Sequence, residues 1–250
     1  LQTFEPSTEM DLLLVSGARP PLLEKTLKSF SSNVLSNFRL TNIFANIDRF
    51  QGGENEVSQA EEIVLGFFPN AVIRKPAAPS FTNSVSWLWQ SVRSPFCLHL
   101  EDDWIAESQI TEDMVLPYFS TEVRQVSILT REKNWSPQIP FHCKWRRHKF
   151  LGFNFGREYL DDEPVFTTSP SFLEREFAAA CGSMMDMSLD PEKQLYDGRN
   201  VKLQNFTRNF RNRIISKNGK FLIKDIGRAF REESGLTKKT VKGKSYWVKN

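Results

Sequence analysis

The segment Asp11-Leu12-Leu13-Leu14-Val15-Ser16 is a short, almost continuous apolar run that stops at Gly17. A strand with apolar residues at both odd and even positions must be covered on both faces, which demands an inner position in a layered α/β fold. Gly17-Ala18-Arg19-Pro20-Pro21 then breaks the run. Leu22, Leu23, Leu27 and Phe30 follow at helical spacing, and the two prolines suit a first helical turn, where no backbone donor is needed. Strand, tight loop and helix together read as the opening unit of a nucleotide-binding sheet.

The pattern repeats. Residues 40–47 read as a strand ending at Asp48, and residues 58–68 as a helix after a polar loop containing Gly52-Gly53. Ala71-Val72-Ile73 forms a third short strand. Residues 82–92 form an amphipathic helix, with Val85, Leu88, Trp89 and Val92 on one stripe. Phe96-Cys97-Leu98-His99-Leu100 is a fourth strand, running into Glu101-Asp102-Asp103-Trp104, and Val126-Ser127-Ile128-Leu129 a fifth. Strands alternating with helices predict a mostly parallel central sheet flanked by helices, a Rossmann-like α/β fold. Ligands of such sheets bind beyond the carboxyl ends of the strands, where Gly17-Ala18-Arg19, Asp48 and the acidic triplet would converge.

Beyond residue 130 the regularity weakens. Residues 131–169, rich in aromatics, prolines and bases, read as long functional loops, and helical patterning returns at 171–180, 191–196 and 205–216. No linker marks a boundary, so residues 1–250 are expected to form one domain. About 10–130 would be its nucleotide-binding half and about 131–250 its acceptor half with a basic tail.

With 40% hydrophobic residues and a formal charge of +3, the chain has an ordinary globular composition and a weak overall field. Cys97, Cys143 and Cys181 are widely spaced, which excludes a CxxC knuckle and points to free thiols in a reducing compartment. No apolar run is long enough to span a bilayer, and residues 1–10 show no signal-peptide pattern. The expected location is cytoplasmic, a removed upstream anchor being left open.

Three consecutive carboxylates at a strand end repel one another unless something neutralises them. A hard divalent cation shared with phosphate oxygens would do so through only one or two protein ligands, whereas an exposed acidic turn paired with bases is the plain alternative. The order of elements, with the Arg19-Pro20 pair, a second strand ending in Asp48 and an apolar strand running into Leu100-Glu101-Asp102-Asp103-Trp104, resembles the GT-A glycosyltransferases. Their metal-binding DxD signature takes an EDD form in N-acetylglucosaminyltransferase I-like members. The resemblance is good over about residues 10–105 and looser over 165–230.

That resemblance implies a GT-A fold and a metal-dependent, inverting transfer of sugar from a nucleotide-sugar donor, a UDP-sugar in the first instance, to an acceptor glycan or other hydroxyl compound. It implies that Ser16, Gly17 and Arg19 hold the nucleotide and that Asp48 accepts from the base. Glu101 would face the ribose or base, Asp102 the donor sugar, and Asp103 would bind Mn²⁺ or Mg²⁺. An inverting transfer also needs a base for the acceptor hydroxyl. Glu192 is the first candidate, followed by Asp190, which also suits a helix cap before Pro191, and by Asp186; Glu174 is weaker. The family's C-terminal histidine is missing, since His99, His142 and His148 all precede residue 150. Residues 223–228 would take its place, with Asp225 or Arg228 substituting. Two alternatives remain: a nucleotidyltransferase of related fold, and a nucleic-acid-binding protein using the basic segments 144–150 and 238–249.

Overall fold

A computed structural model describes residues 8–50, 52–131, 140–150, 153–233, 235–241 and 244–249. The first half follows the alternation: β1 (Glu9–Ser16), α1 (Pro20–Asn33), β2 (Arg39–Ile47), α2 (Glu54–Phe67), β3 (Val72–Arg74), α3 (Phe81–Gln90) and β4 (Phe96–Glu101). After β4 come β5 (Trp104–Ala106), α4 (Glu112–Val115) and β6 (Val123–Ile128). The rest of the chain contributes β7 (Cys143–Phe150), β8 (Phe153–Pro164), β9 (Ser171–Glu174), α5 (Arg175–Met184), α6 (Val201–Thr207), β10 (Arg211–Ile215), β11 (Ile223–Asp225), α7 (Gly227–Glu233), β12 (Leu236–Val241) and β13 (Lys244–Lys249).

Seven strands form the central sheet in the order β10-β6-β9-β4-β1-β2-β3. All neighbours are parallel except β9, which runs antiparallel to both β4 and β6. The mostly parallel α/β sheet expected from the sequence is therefore present. β1 is covered on both sides, as its composition demands. Leu12 and Leu14 pack with Leu23, Leu27 and Phe30 of α1, while Leu13 and Val15 pack with Val85, Leu88 and Trp89 of α3.

Four expectations for the second half require correction. Residues 143–164 are not loops but a long antiparallel hairpin, β7–β8; residues 132–139 of the same segment lie outside the described residues. The helix expected at 171–180 begins only at Arg175. Its first four residues are β9, which fills the space between β4 and β6 before the Glu174 carboxylate caps α5 through the Glu176 and Phe177 amides. Residues 191–196 contain a single 3₁₀ turn, Lys193–Leu195. The segment 205–216 splits into the end of α6 and the strand β10. Asn209 Nδ2 donates to the Asn205 and Phe206 carbonyls, closing the helix, and the edge of β6 takes up the backbone that follows.

The apolar reading of β1 also concealed Asp11, which is fully buried. Its carboxylate accepts from the Arg93 and Ser94 amides at 2.6 and 2.9 Å, from Ser94 Oγ at 2.7 Å, Asn42 Nδ2 at 2.8 Å and Thr41 Oγ1 at 3.0 Å. Burial pushes this carboxyl up, but the Ser94 and Arg93 amides and the side-chain donors outweigh it and hold the pKa below its usual value. The pin joins β1 and β2 to the turn before β4. A carboxyl lowered by folding contributes stability above its unfolded pKa of ~3.9, and that contribution is lost as pH falls through the lower folded value. Asp11→Ala should cost about 3–5 kcal/mol in urea denaturation at neutral pH, because several buried donors lose their acceptor. Asp11→Asn should flatten the acid limb of the stability profile.

Candidate functional site

The carboxyl ends of β1, β2 and β4 lie side by side, with Val15 opposite Glu101 and Ser16 opposite Ile47. The loop after β1 turns sharply because Ala18 adopts a left-handed conformation (φ 54°). This aims the Gly17 amide and the Arg19 side chain at the acidic cluster. Gly52 closes over the same loop; a Cβ there would lie 2.6 Å from the Ala18 carbonyl oxygen, so the approach requires glycine.

Asp102 is fully buried and makes its bonds within the protein. It accepts from Ser16 Oγ and the Gly17 amide, both at 2.8 Å, and pairs with Arg19 Nη2. The other arm of Arg19, Nη1, lies 3.0 Å from Asp103 Oδ2. Burial disfavours the guanidinium charge, but Asp102 and Asp103 outweigh it and raise its pKa above the ordinary value. The middle carboxylate of the triplet thus fastens the loop to the sheet, and its neighbours face the ligand side.

Asp103 is held from the far end of the chain as well. β11 pairs antiparallel with β5, setting Asp225 opposite Trp104, and the Ile226 amide donates to the Asp103 carbonyl at 2.9 Å. From α7, Arg231 Nη1 reaches Asp103 Oδ2 at 3.3 Å, and its Nη2 lies 3.6 Å from Asp225. Gly227 sits against the same carboxylate: a Cβ built there would fall 2.1 Å from Oδ2, so only glycine leaves room for it. Residues 223–228 therefore lie beside the acidic triplet. Asp225 is the member that reaches the site, and the base beside it is Arg231 rather than Arg228, one helical turn later. Spacing alone could not distinguish the two.

These groups line a cleft of about 770 Å³ that also includes Phe50, Phe81, Thr168, Asp190 and Glu192. Burial raises the carboxyl of Glu101 well above the ordinary range, and Asp103 adds to the effect; Trp104 Nε1 donates to Glu101 at 3.2 Å. Asp103 is raised by burial, opposed by Arg19 and reinforced by Asp102 and Asp225. Glu192 Oε1 accepts from Thr167 Oγ1 at 2.5 Å, and Glu192 lines the cleft together with Thr168 and Ser169. Asp190 also lines the cleft, with its Oδ1 bonded to the Glu192 and Lys193 amides at 3.1 Å, the capping arrangement its position before Pro191 suggested. Thr82 at the start of α3 donates to the Leu189 carbonyl, tying this segment to the sheet.

Other candidate residues lie off the lining. Ser16 is buried beneath the cleft, on Asp102. Asp48 is buried too; Ser84 Oγ donates to it, and burial raises its carboxyl. Asp186 is exposed in a turn, accepting from the Ser188 amide and hydroxyl. Glu174 caps α5 at the opposite end of β9 from the cleft.

The cleft lining suits a cation. Glu101, Asp102, Asp103, Asp190, Glu192 and Asp225 face only Arg19 and Arg231 as bases, so an anionic ligand would need further positive charge. Among the described residues no group of three or more His, Cys, Asp or Glu side chains forms a ready-made metal cage. A hard cation needs only one or two protein carboxylates when ligand oxygens and water complete its shell. Asp103 is the best placed of the triplet, since both arginines contact Oδ2 and no hydrogen bond from the described residues reaches Oδ1.

No family description and no curated protein matches the sequence. The fold is found among solved structures. It is similar to the mannosyltransferase PcManGT from Pyrobaculum calidifontis in complex with GDP-Man and Mn²⁺ (TM-score 0.54, 8% identity, 86% of this chain and 60% of that one). It is also similar to residues 1–349 of TarS from S. aureus in complex with UDP-GlcNAc (TM-score 0.52, 12% identity, 87% and 58%). The chain therefore spans about 60% of the length of the structures it matches. At these identities the likeness establishes a shared α/β fold and nothing finer.

The Asp102 cluster should dominate local stability. Asp102→Ala removes the acceptor of Ser16, Gly17 and Arg19 together, and thermal and urea unfolding should show a loss of about 3–5 kcal/mol.

Proposed function

We propose that the chain is a metal-dependent glycosyltransferase that moves a sugar from a nucleotide-sugar donor, a UDP-sugar in the first instance, to an acceptor hydroxyl with inversion. The observation that carries this reading is the cleft itself. Arg19, Glu101, Asp103 and Glu192 line one cavity large enough for a sugar nucleotide. Its support from outside the chain is a fold shared with proteins whose structures hold GDP-Man with Mn²⁺ and UDP-GlcNAc.

In this reading Gly17 and Arg19 border the nucleotide, and Ser16 and Asp102 hold their loop in place. Asp48 stiffens the floor under the base from the end of β2, and Glu101 faces the ribose. Asp103 is the protein ligand of Mn²⁺ or Mg²⁺, a cation that would neutralise the diphosphate and ease its departure. Arg231 sits next to the same carboxylate. Glu192 takes the proton of the acceptor hydroxyl as that oxygen bonds to the anomeric carbon and the bond to the diphosphate oxygen breaks, releasing the nucleoside diphosphate. Thr167 fixes the rotamer of Glu192. Asp190 holds the backbone on which Glu192 stands, which separates the roles of these two acids.

Titration calorimetry should show UDP binding that requires Mn²⁺ and is lost in Asp103→Ala; binding indifferent to either change would overturn the proposal. Glu192→Gln should keep donor affinity within a few-fold while lowering sugar transfer by roughly 10²-fold or more, read as nucleoside diphosphate release. Equal losses in both quantities would remove Glu192 from the base role.

A further inference from the structure

None of the described residues of the β7–β8 hairpin lines the cleft, and its charge is unevenly spread. Between residues 144 and 157 stand Lys144, Arg146, Arg147, Lys149 and Arg157, with no Asp or Glu. Of its acids, Glu158 stands opposite Arg146 in the register, and Asp161, Asp162 and Glu163 follow toward the root. Three of them have partners within the chain. Asp161 pairs with Arg211 at 3.0 Å and Glu163 with Lys144 at 2.7 Å, while Glu158 lies 3.2 Å from His148 Nε2. Arg211 begins β10, which runs parallel to β6. The hairpin is therefore rooted at the amino end of that strand, opposite the strand ends that open on the cleft.

The outer half combines this charge with exposed apolar surface. Arg146, Arg147, His148 and Arg157 are exposed. Arg147 and Arg157 stand opposite each other in the register, and both guanidiniums lie over the Trp145 ring, 4.9 and 4.4 Å from its centroid. The last register pair is Phe150 with Phe153, and Phe153 is 72% exposed, the highest value among the exposed large hydrophobic residues. An exposed phenylalanine near arginines stacked on an indole joins apolar and cationic surface. At a bilayer interface the ring enters the acyl boundary while the arginines meet lipid phosphates.

We propose that the β7–β8 hairpin is a membrane-surface anchor, docking the protein peripherally on anionic lipid through Phe153 and the Arg146, Arg147 and Arg157 shoulder. The charge complements an anionic headgroup layer, and the exposed ring of Phe153 favours lipid over a purely ionic polymer. The anchor is independent of the sugar-transfer reading, since it shares no residue with the cleft.

The test is vesicle co-sedimentation of the full chain. Vesicles of phosphatidylcholine alone should leave it in solution, and vesicles with about one third phosphatidylserine should bind it, less so as salt rises. Arg146→Glu with Arg147→Glu should weaken binding by at least about tenfold, as two basic contacts become repulsive. Phe153→Asp should weaken it comparably while leaving the circular dichroism spectrum unchanged. Phe153→Ser and Arg146→Gln with Arg147→Gln serve as milder variants if either substitution disturbs folding. No sedimentation with anionic vesicles would overturn the proposal. So would vesicle binding indifferent to Phe153→Asp alongside equally tight, salt-steep binding of single-stranded RNA, which would make the hairpin a nucleic-acid contact instead.

Discussion

The Arg19–Asp102 ion pair is the contact on which the site depends. A buried carboxylate and a buried guanidinium each carry a large desolvation cost, and their attraction offsets it only when the remaining hydrogen-bonding positions are filled. Ser16 Oγ and the Gly17 amide fill them on Asp102, and Asp103 takes the second arm of Arg19. The result locks the end of β1 to the end of β4 and freezes the intervening loop. It also fixes the direction of the acidic triplet: the middle acid turns inward as a clamp, leaving Glu101 and Asp103 on the cleft side.

Around that clamp the cleft is assembled from remote parts of the chain, the start of α3 and Thr168–Ser169 among them. The β1 and β4 ends supply the floor, the segment before and after Pro191 supplies one wall, and the strand–turn–helix from Ile223 to Glu233 supplies another. The last of these is held to Asp103 by a backbone hydrogen bond, by Arg231 and by the missing side chain at Gly227. Carboxylates outnumber bases on the lining, and burial raises two of them. Either a proton or a bound cation relieves such repulsion between neighbouring carboxylates.

The other half of the molecule divides its charge in a different way. In the cleft, opposite charges are interleaved within a few ångströms, which gives a geometry-specific site. In the β7–β8 hairpin bases outnumber acids over residues 144–158, where Glu158 stands opposite Arg146. The first arrangement suits a small ligand of fixed shape and the second an extended surface.

The sequence by itself determined the layered α/β architecture, because runs such as Leu12–Val15 and Phe96–Leu100 must be covered on both faces and the amphipathic stripe of Val85, Leu88 and Trp89 supplies a cover. It also placed Gly17, Arg19 and Glu101–Asp103 at one edge, since parallel strands bring their carboxyl ends together. Tertiary structure alone decided the rest. β9 and β10 are strands because their sheet neighbours needed partners, and neither short segment carries enough periodicity to announce that. Asp11 looked like an interruption of an apolar run until its donors, supplied by residues 41–42 and 93–94, were gathered around it. Asp102 became a clamp and Arg231 a neighbour of Asp103 through contacts 83 and 128 residues apart. Local patterning fixes which residues can be covered, but the partner of a buried charge is set by the packing that brings distant segments together.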